Sequence, residues 1–277
     1  MTLRFHPVLC CMAILCAHAV ALAQVPLATA EALMHKSGVW EQLADVAPQL
    51  KAGVTQAPDS ASLDAQDVER LEQLAEDAYA APRLRETFLQ VLAGQITAAQ
   101  SARAIKWYDS PTGRRITELE ATSSTSVDDV NRVLAEGNNV LAHASAKRQA
   151  LLAQTVRATR AAEGQVTLQI NTTVSIMQGV ASVLPGTPAS GADTLRRAME
   201  AQRPQMVAAA SGVMLSMFAL TYQSASDRAL EQYLQFLSSA SGDAISVAMM
   251  DALDKALSAA GRRFGSSIPK AGATLSL

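Results

Sequence analysis

Cysteine is confined to the first sixteen of 277 residues, at Cys10, Cys11 and Cys16, and there are only four histidines, His6, His18, His35 and His143. Beyond residue 16 the chain can form neither a disulfide nor a thiolate metal site. His35 and His143 lie far apart, and neither has a further ligand-type residue three or four positions later, so the H-E-x-x-H zinc pattern is missing. No G-x-S-x-G elbow, Walker loop or G-x-G-x-x-G turn occurs, so no cofactor is expected. Positive charge is not in surplus: 23 basic residues meet 25 acidic ones, which argues against a nucleic-acid partner. Aromatics make up 4 % of the chain, and alanine and leucine fill the space, a composition suited to helices packed through small side chains.

The segment MTLRFHPVLCCMAILCAHAVALA has one basic residue, Arg4, ahead of an apolar run from about residue 8 to 20. It closes on Ala21-Leu22-Ala23, the small-x-small pattern that signal peptidase cuts. Residues 1–23 therefore read as a cleavable secretory signal with the cut after Ala23, and the expected location is periplasmic or secreted. Cleavage removes every cysteine and Arg4, leaving 22 basic against 25 acidic residues, a net charge of −3. No transmembrane span is expected in the mature chain, because its uncharged runs are interrupted by glutamine, serine and glycine.

Helical periodicity runs through most of the remainder, and strand alternation is nearly absent. Over residues 64–80, Val68, Leu71, Leu74 and Ala78 fall on one face, with Glu69, Glu72, Glu76 and Asp77 off it. Pro82 ends that helix and opens another built on Leu84, Phe88, Leu92 and Ile96. Thr97 is the expected N-cap of the next segment, up to Trp107. A polar break at 121–125 precedes Ser126-Val127-Asp128-Asp129, which has capping-box spacing. Helix is then expected to about Gly137, in one run over 139–162, and over 165–183. Leu184-Pro185-Gly186 reads as a linker. Further helices follow at 193–220, disturbed at Pro204, at 226–237 and at 240–259. The expected fold is all-α without a sheet. An N-terminal unit (24–125) and a second unit (185–260) are joined by long connecting helices (126–184), and 261–277 form a flexible tail; the units are expected to share a core or to form separable domains.

The most distinctive stretch is WYDSPTG, residues 107–113, and it recurs in weaker form. TAAQSARAIKWYDSPTG (97–113) and SDRALEQYLQFLSSASG (226–242) align without a gap at an offset of 129, pairing Trp107 with Phe236, Ser110 with Ser239 and Gly113 with Gly242. Each begins on a hydroxyl suited to N-capping, and such repetition points to a repeated architectural unit. The residue types fit a sharp helix–helix corner. An aromatic ring ends one helix, the serine caps the next, Pro111 takes the position where a missing N–H costs nothing, and glycine admits a close backbone. The minority reading is a surface site in which Asp109 or Ser110 contacts a ligand.

Trp-Tyr-x-Ser-Pro-x-Gly after an amphipathic helix resembles the hallmark of the domain of unknown function 2059 family of exported bacterial proteins. EALMHKSGVWEQL, residues 31–43, resembles that family's opening helix pair around Ser37-Gly38. The resemblance covers roughly residues 27–120; the second copy departs from it, with Leu237 for tyrosine and Ala240 for proline. It implies an all-helical periplasmic domain and brings no catalytic residues.

Three features bear on function. Glu118 with Glu120, or Asp128 with Asp129, could be drawn as an acid–base pair, although acidic residues at helix starts and on solvated faces are far commoner. A hydrolase using Asp109 or Glu118 ranks third among the readings. Between Glu136 and Glu163 there is no acidic residue, while Lys147, Arg148, Arg157 and Arg160 accumulate beside His143. That face either binds an anion, such as a lipid phosphate, or pairs with the acidic helix at 64–77. Residues 165–192 and 204–225 carry no charge, and Met206, Met214, Met217, Met249 and Met250 fall in the second half. These methionines are either core or the lining of a permissive apolar groove. The leading expectation is a non-enzymatic envelope protein that binds or scaffolds another envelope protein. The alternative is a periplasmic carrier or chaperone for an apolar, lipid-like ligand.

Overall fold

A computed structural model describes residues 24–56, 64–122, 130–184 and 190–268. Among them the only regular structure is helix, in twelve segments with no strand. Residues 1–23, the Asp128 and Asp129 pair, and the Pro185-Gly186 linker lie outside the described residues. The opening pair is α1 (Leu27–Lys36) and α2 (Val39–Gln56), separated by Gly38 at φ +77°, where a side chain would be strained. Next, α3 (Ala65–Ala78) starts from Asp64, whose carboxylate accepts from the Gln66 N–H at 3.0 Å. Pro82 sits in the first turn of α4 (Ala81–Gln95), and Leu84, Phe88, Leu92 and the following Ile96 are all at most 1 % exposed. Each such burial contributes about 1.5–3 kcal/mol. After α5 (Ala98–Tyr108) and α6 (Pro111–Thr122) come α7 (Val130–His143), α8 (Ala146–Thr159) and α9 (Ala161–Ala181). The last three are α10 (Ser190–Thr221), α11 (Asp227–Leu237) and α12 (Ala240–Ser267).

The main core is built around α12. Its Ile245, Ala248, Ala252, Ala256 and Ala260 are buried against Leu33 and Met34 of α1, Leu43 of α2 and the apolar face of α4. Alanines spaced by four make a narrow ridge, which lets α12 lie close to α4. On its far side α12 meets α9 backbone to backbone. A Cβ on Gly265 would lie 2.0 Å from the Ile176 carbonyl oxygen, and one on Gly179 would lie 2.2 Å from that of Arg262. A second cluster joins Ile116 and Leu119 of α6 to Leu152 of α8, Tyr222, and Leu230, Tyr233 and Leu237 of α11. A third packs Val166, Ile170 and Val174 of α9 against α10.

Three expectations need correction. The run over 139–162 is not one helix: α7 continues through Gly137 to His143, and α8 begins anew at Ser145, whose hydroxyl accepts from the Arg148 N–H at 3.1 Å. Gly137 does not stop α7, because its missing Cβ is where the Ser216 carbonyl of α10 approaches. Arg160, left-handed at φ 53°, then divides α8 from α9. The tail assigned from Gly261 is helical to Ser267, with Gly261 and Gly265 buried. Those glycines are a packing surface, although glycine in sequence reads as a stop. The units at 24–125 and 185–260, expected to share a core or to form separable domains, share one: α12 of the second supplies the spine of the first unit's core. The disturbance expected at Pro204 does not interrupt α10.

Candidate functional site: two corners face to face

The corners at 107–113 and 236–242 share their turn and capping hydrogen bonds, and the Ser239 hydroxyl also donates to the Phe236 carbonyl at 2.6 Å. Thr97 caps α5 through a capping box with Gln100, and Ser226 caps α11 by accepting from the Ala229 N–H at 3.2 Å. At the ends of these helices, the Ser110 N–H donates to the Trp107 carbonyl at 2.9 Å and the Ser239 N–H to the Phe236 carbonyl at 3.0 Å. Each serine hydroxyl then accepts from the glycine N–H three residues on, Ser110 from Gly113 and Ser239 from Gly242, both at 3.0 Å. The close backbone is the corner's own: a Cβ on Gly113 would lie 2.1 Å from the Trp107 oxygen, and one on Gly242 1.9 Å from the Phe236 oxygen.

The corners pack on each other through matching residues. Trp107 stacks on Phe236, with ring centroids 4.9 Å apart and planes 8° off parallel, and the Tyr233 ring lies 6.0 Å from Trp107. Thr112 donates to the Gln232 side-chain oxygen at 2.6 Å, and Arg103 donates to the Ser241 hydroxyl at 3.3 Å. With the offset of 129, Arg103 corresponds to Gln232 and Thr112 to Ser241. The two contacts are therefore one contact made twice in opposite directions, which is the pattern of an isologous two-fold interface. The same offset relates buried pairs outside the corners, Ile96 with Ala225, Ile116 with Ile245, and Leu119 with Ala248.

Beside the stack lies a half-buried acid. Glu120, one turn on from Ile116, accepts from the Tyr222 hydroxyl at 2.6 Å and the Tyr233 hydroxyl at 3.0 Å. Burial pushes its carboxyl up, and the two tyrosine hydrogen bonds offset part of that rise. Burial also raises Tyr108, Tyr222 and Tyr233, with the Glu120 charge adding to each. This cluster was not legible in the sequence, because Glu120 lies 102 and 113 residues from the two tyrosines that hold it. The available signal was the scarcity of tyrosine, of which there are four.

The other candidates are spread out. Glu118 and Glu120, two residues apart on a helix, diverge: Glu118 is exposed and meets Arg115 at 3.6 Å. Asp109, half exposed, pairs with Lys36 at the end of α1. Three of the four basic residues have acidic partners, but on α11 and α12 and not on the acidic helix α3. Lys147 meets Glu231 at 2.8 Å, Arg148 meets Asp227 at 2.9 Å, and Arg160 meets Asp243 at 2.7 Å. Arg148 also donates to the Tyr222 carbonyl at 2.5 Å, which ties α8 to the end of α10. The α3 acids pair with their neighbours: Glu72 with Lys51, Asp67 with Arg70 and Asp77 with Arg83. Arg157 lines a cleft of about 600 Å³ between α8 and α11, floored by Leu151, Ala158 and Leu234.

The methionines do not gather in one groove. Met206 packs with α9, Met249 joins the main core, Met250 lies against Gly164, and Met214 and Met217 are half-buried along α10. His35 pairs with Glu41 at 3.2 Å, and His143 contacts the Asn139 carbonyl. Among the described residues no three His, Cys, Asp or Glu side chains gather to hold a metal. No protein-family model, curated protein or solved structure matches the chain.

Proposed function

We propose that this is an exported, non-enzymatic binding or scaffolding protein of the bacterial envelope, built by duplication of a capped helix corner. The similarity to the domain of unknown function 2059 family, stated on Trp107, Tyr108, Ser110, Pro111 and Gly113, is part of the same proposal. The observation that carries the binding reading is α10. It has a stretch long and apolar enough to cross a membrane by length and composition, yet only 17 % of that stretch is buried within the chain. Residues 204–221 of α10 carry no charge, and a stretch so little buried gains by meeting a partner. A protein partner fits better than lipid. Gln205 is exposed on this stretch, and its amide is a polar demand that hydrocarbon does not meet. The acids that could serve chemistry are committed elsewhere, Glu120 to two tyrosines, Asp109 to Lys36 and Glu118 to Arg115.

The test uses the cysteine-free mature chain. Ala209 is exposed on α10, so Ala209→Cys gives one clean thiol. Maleimide should label it quickly in the purified protein and at least about tenfold more slowly in intact envelopes, with N-terminal sequencing of the recovered protein beginning at Gln24. Equal labelling in both settings sinks the binding reading at this face; an intact leader sinks the export reading.

A further inference from the structure

We propose that Tyr79 and Arg263 form a binding site for a single carboxylate or phosphate group where α3, α4 and α12 meet. The site is distinct from α10 and does not depend on the function proposed above. Tyr79 is 2 % exposed, and its hydroxyl is buried without a hydrogen-bond partner. The Nε and Nη2 of Arg263 are likewise buried and unpartnered. These two nitrogens form one edge of the guanidinium, the fork that takes both oxygens of a carboxylate or phosphate at once. Three donors thus share a region in which no acceptor is supplied. Buried donors are almost always satisfied, so this arrangement calls for an oxyanion.

The surroundings favour negative charge and fix the donors in place. Arg83, in the first turn of α4, adds a second cation, and Ala80 at the head of that helix provides no side-chain cap. The Tyr79 ring is held by Phe264 at 6.3 Å, and its hydroxyl rests over Gly261, where an added Cβ would lie 3.4 Å away. Burial lifts the phenol to about 12, so it stays a donor, and the Arg263 charge moderates that rise. Burial and the Arg83 charge both act against the Arg263 charge, while Asp77 and Tyr79 support it. The one acid nearby, Asp77, is 77 % exposed and engages Arg83 at 3.7 Å, and Arg263 remains unpartnered.

Thermal unfolding of the full-length mature protein tests this. Sodium phosphate, sodium acetate and dihexanoyl phosphatidate are each titrated against sodium chloride at matched ionic strength. A saturable rise in Tm with phosphate or acetate is expected, marking a free anion as the ligand. A rise with the phosphatidate alone marks a lipid headgroup. Arg263→Met should abolish either rise, Tyr79→Phe should weaken apparent affinity roughly tenfold through loss of one charge-assisted hydrogen bond, and Asp77→Asn should strengthen it. No saturable rise, or one that persists in Arg263→Met, overturns the site. Should Arg263→Met fail to fold, Arg263→Lys keeps the charge without the fork. The Arg263 Nε–H resonance of the wild-type protein then decides, since an unmoved signal under phosphate overturns the proposal equally.

Discussion

The corner at 107–113 carries tryptophan, tyrosine and proline, whereas the corner at 236–242 carries phenylalanine, leucine and alanine at the same places, and both make the same serine-to-glycine cap. What they hold in common is a serine three residues ahead of a glycine. The serine supplies the cap, and the glycine leaves room for the carbonyl of the next-to-last residue of the preceding helix. The backbone is thus set by two small residues. The larger ones differ because each corner faces different neighbours, with Asp109 of the first reaching α1 and Asp243 after the second reaching Arg160.

If the glycines are what the corners share, Gly113→Ala and Gly242→Ala should be the most damaging changes and should cost alike. A methyl group 1.9–2.1 Å from a backbone oxygen forces the turn apart. The expected loss is at or above the upper end of the about 1–3 kcal/mol typical of overpacking, measured by urea unfolding of both variants. A large loss at one glycine and none at the other would break the equivalence.

A smaller effect separates the corners by pH. Glu120 has no acidic counterpart in the second corner, where Met249 takes its place. Burial raises its carboxyl in the folded protein, so the fold favours the protonated form. That stabilisation is complete below the unfolded carboxyl value and is lost as pH rises through the folded value. Glu120→Gln should therefore flatten the decline in stability with rising pH while the fold persists. Denaturation midpoints of both proteins between about pH 4 and 8 check this; parallel curves would mean that Glu120 is already ionised in the fold.

The smallest expected change would make the corners more alike. Ala240 holds the position of Pro111, and Ser239 before it is extended at ψ 151°, the conformation a following proline requires. Ala240→Pro should stabilise the protein by about 0.4–1 kcal/mol by restricting the unfolded chain. A drop in Tm would show that the second corner differs in backbone after all.

Local chemistry was readable from the sequence. The caps at Thr97, Ser110, Ser226 and Ser239 and the buried face of α4 each follow from residues a turn or two apart. What escaped it depends on long-range packing. Gly137, Gly261 and Gly265 read as breaks because their neighbours across helices, at Ser216, Thr172 and Ile176, have no sequence signal. The acidic partners of Lys147, Arg148 and Arg160 were placed on the wrong helix for the same reason, since charge composition gives sign without address. Glu120, set among tyrosines more than a hundred residues away, could not be told from Glu118 by spacing alone.

One consequence of α12 concerns the order of assembly. The last described helix supplies Ile245 through Ala260 to a core whose other walls, α1, α2 and α4, lie roughly 150 to 220 residues earlier. Closing loops of that length is slow, and the early helices have no finished core to collapse onto until α12 arrives. A chain emerging N-terminus first therefore stays loose through most of its synthesis and completes its fold only once α12 is free.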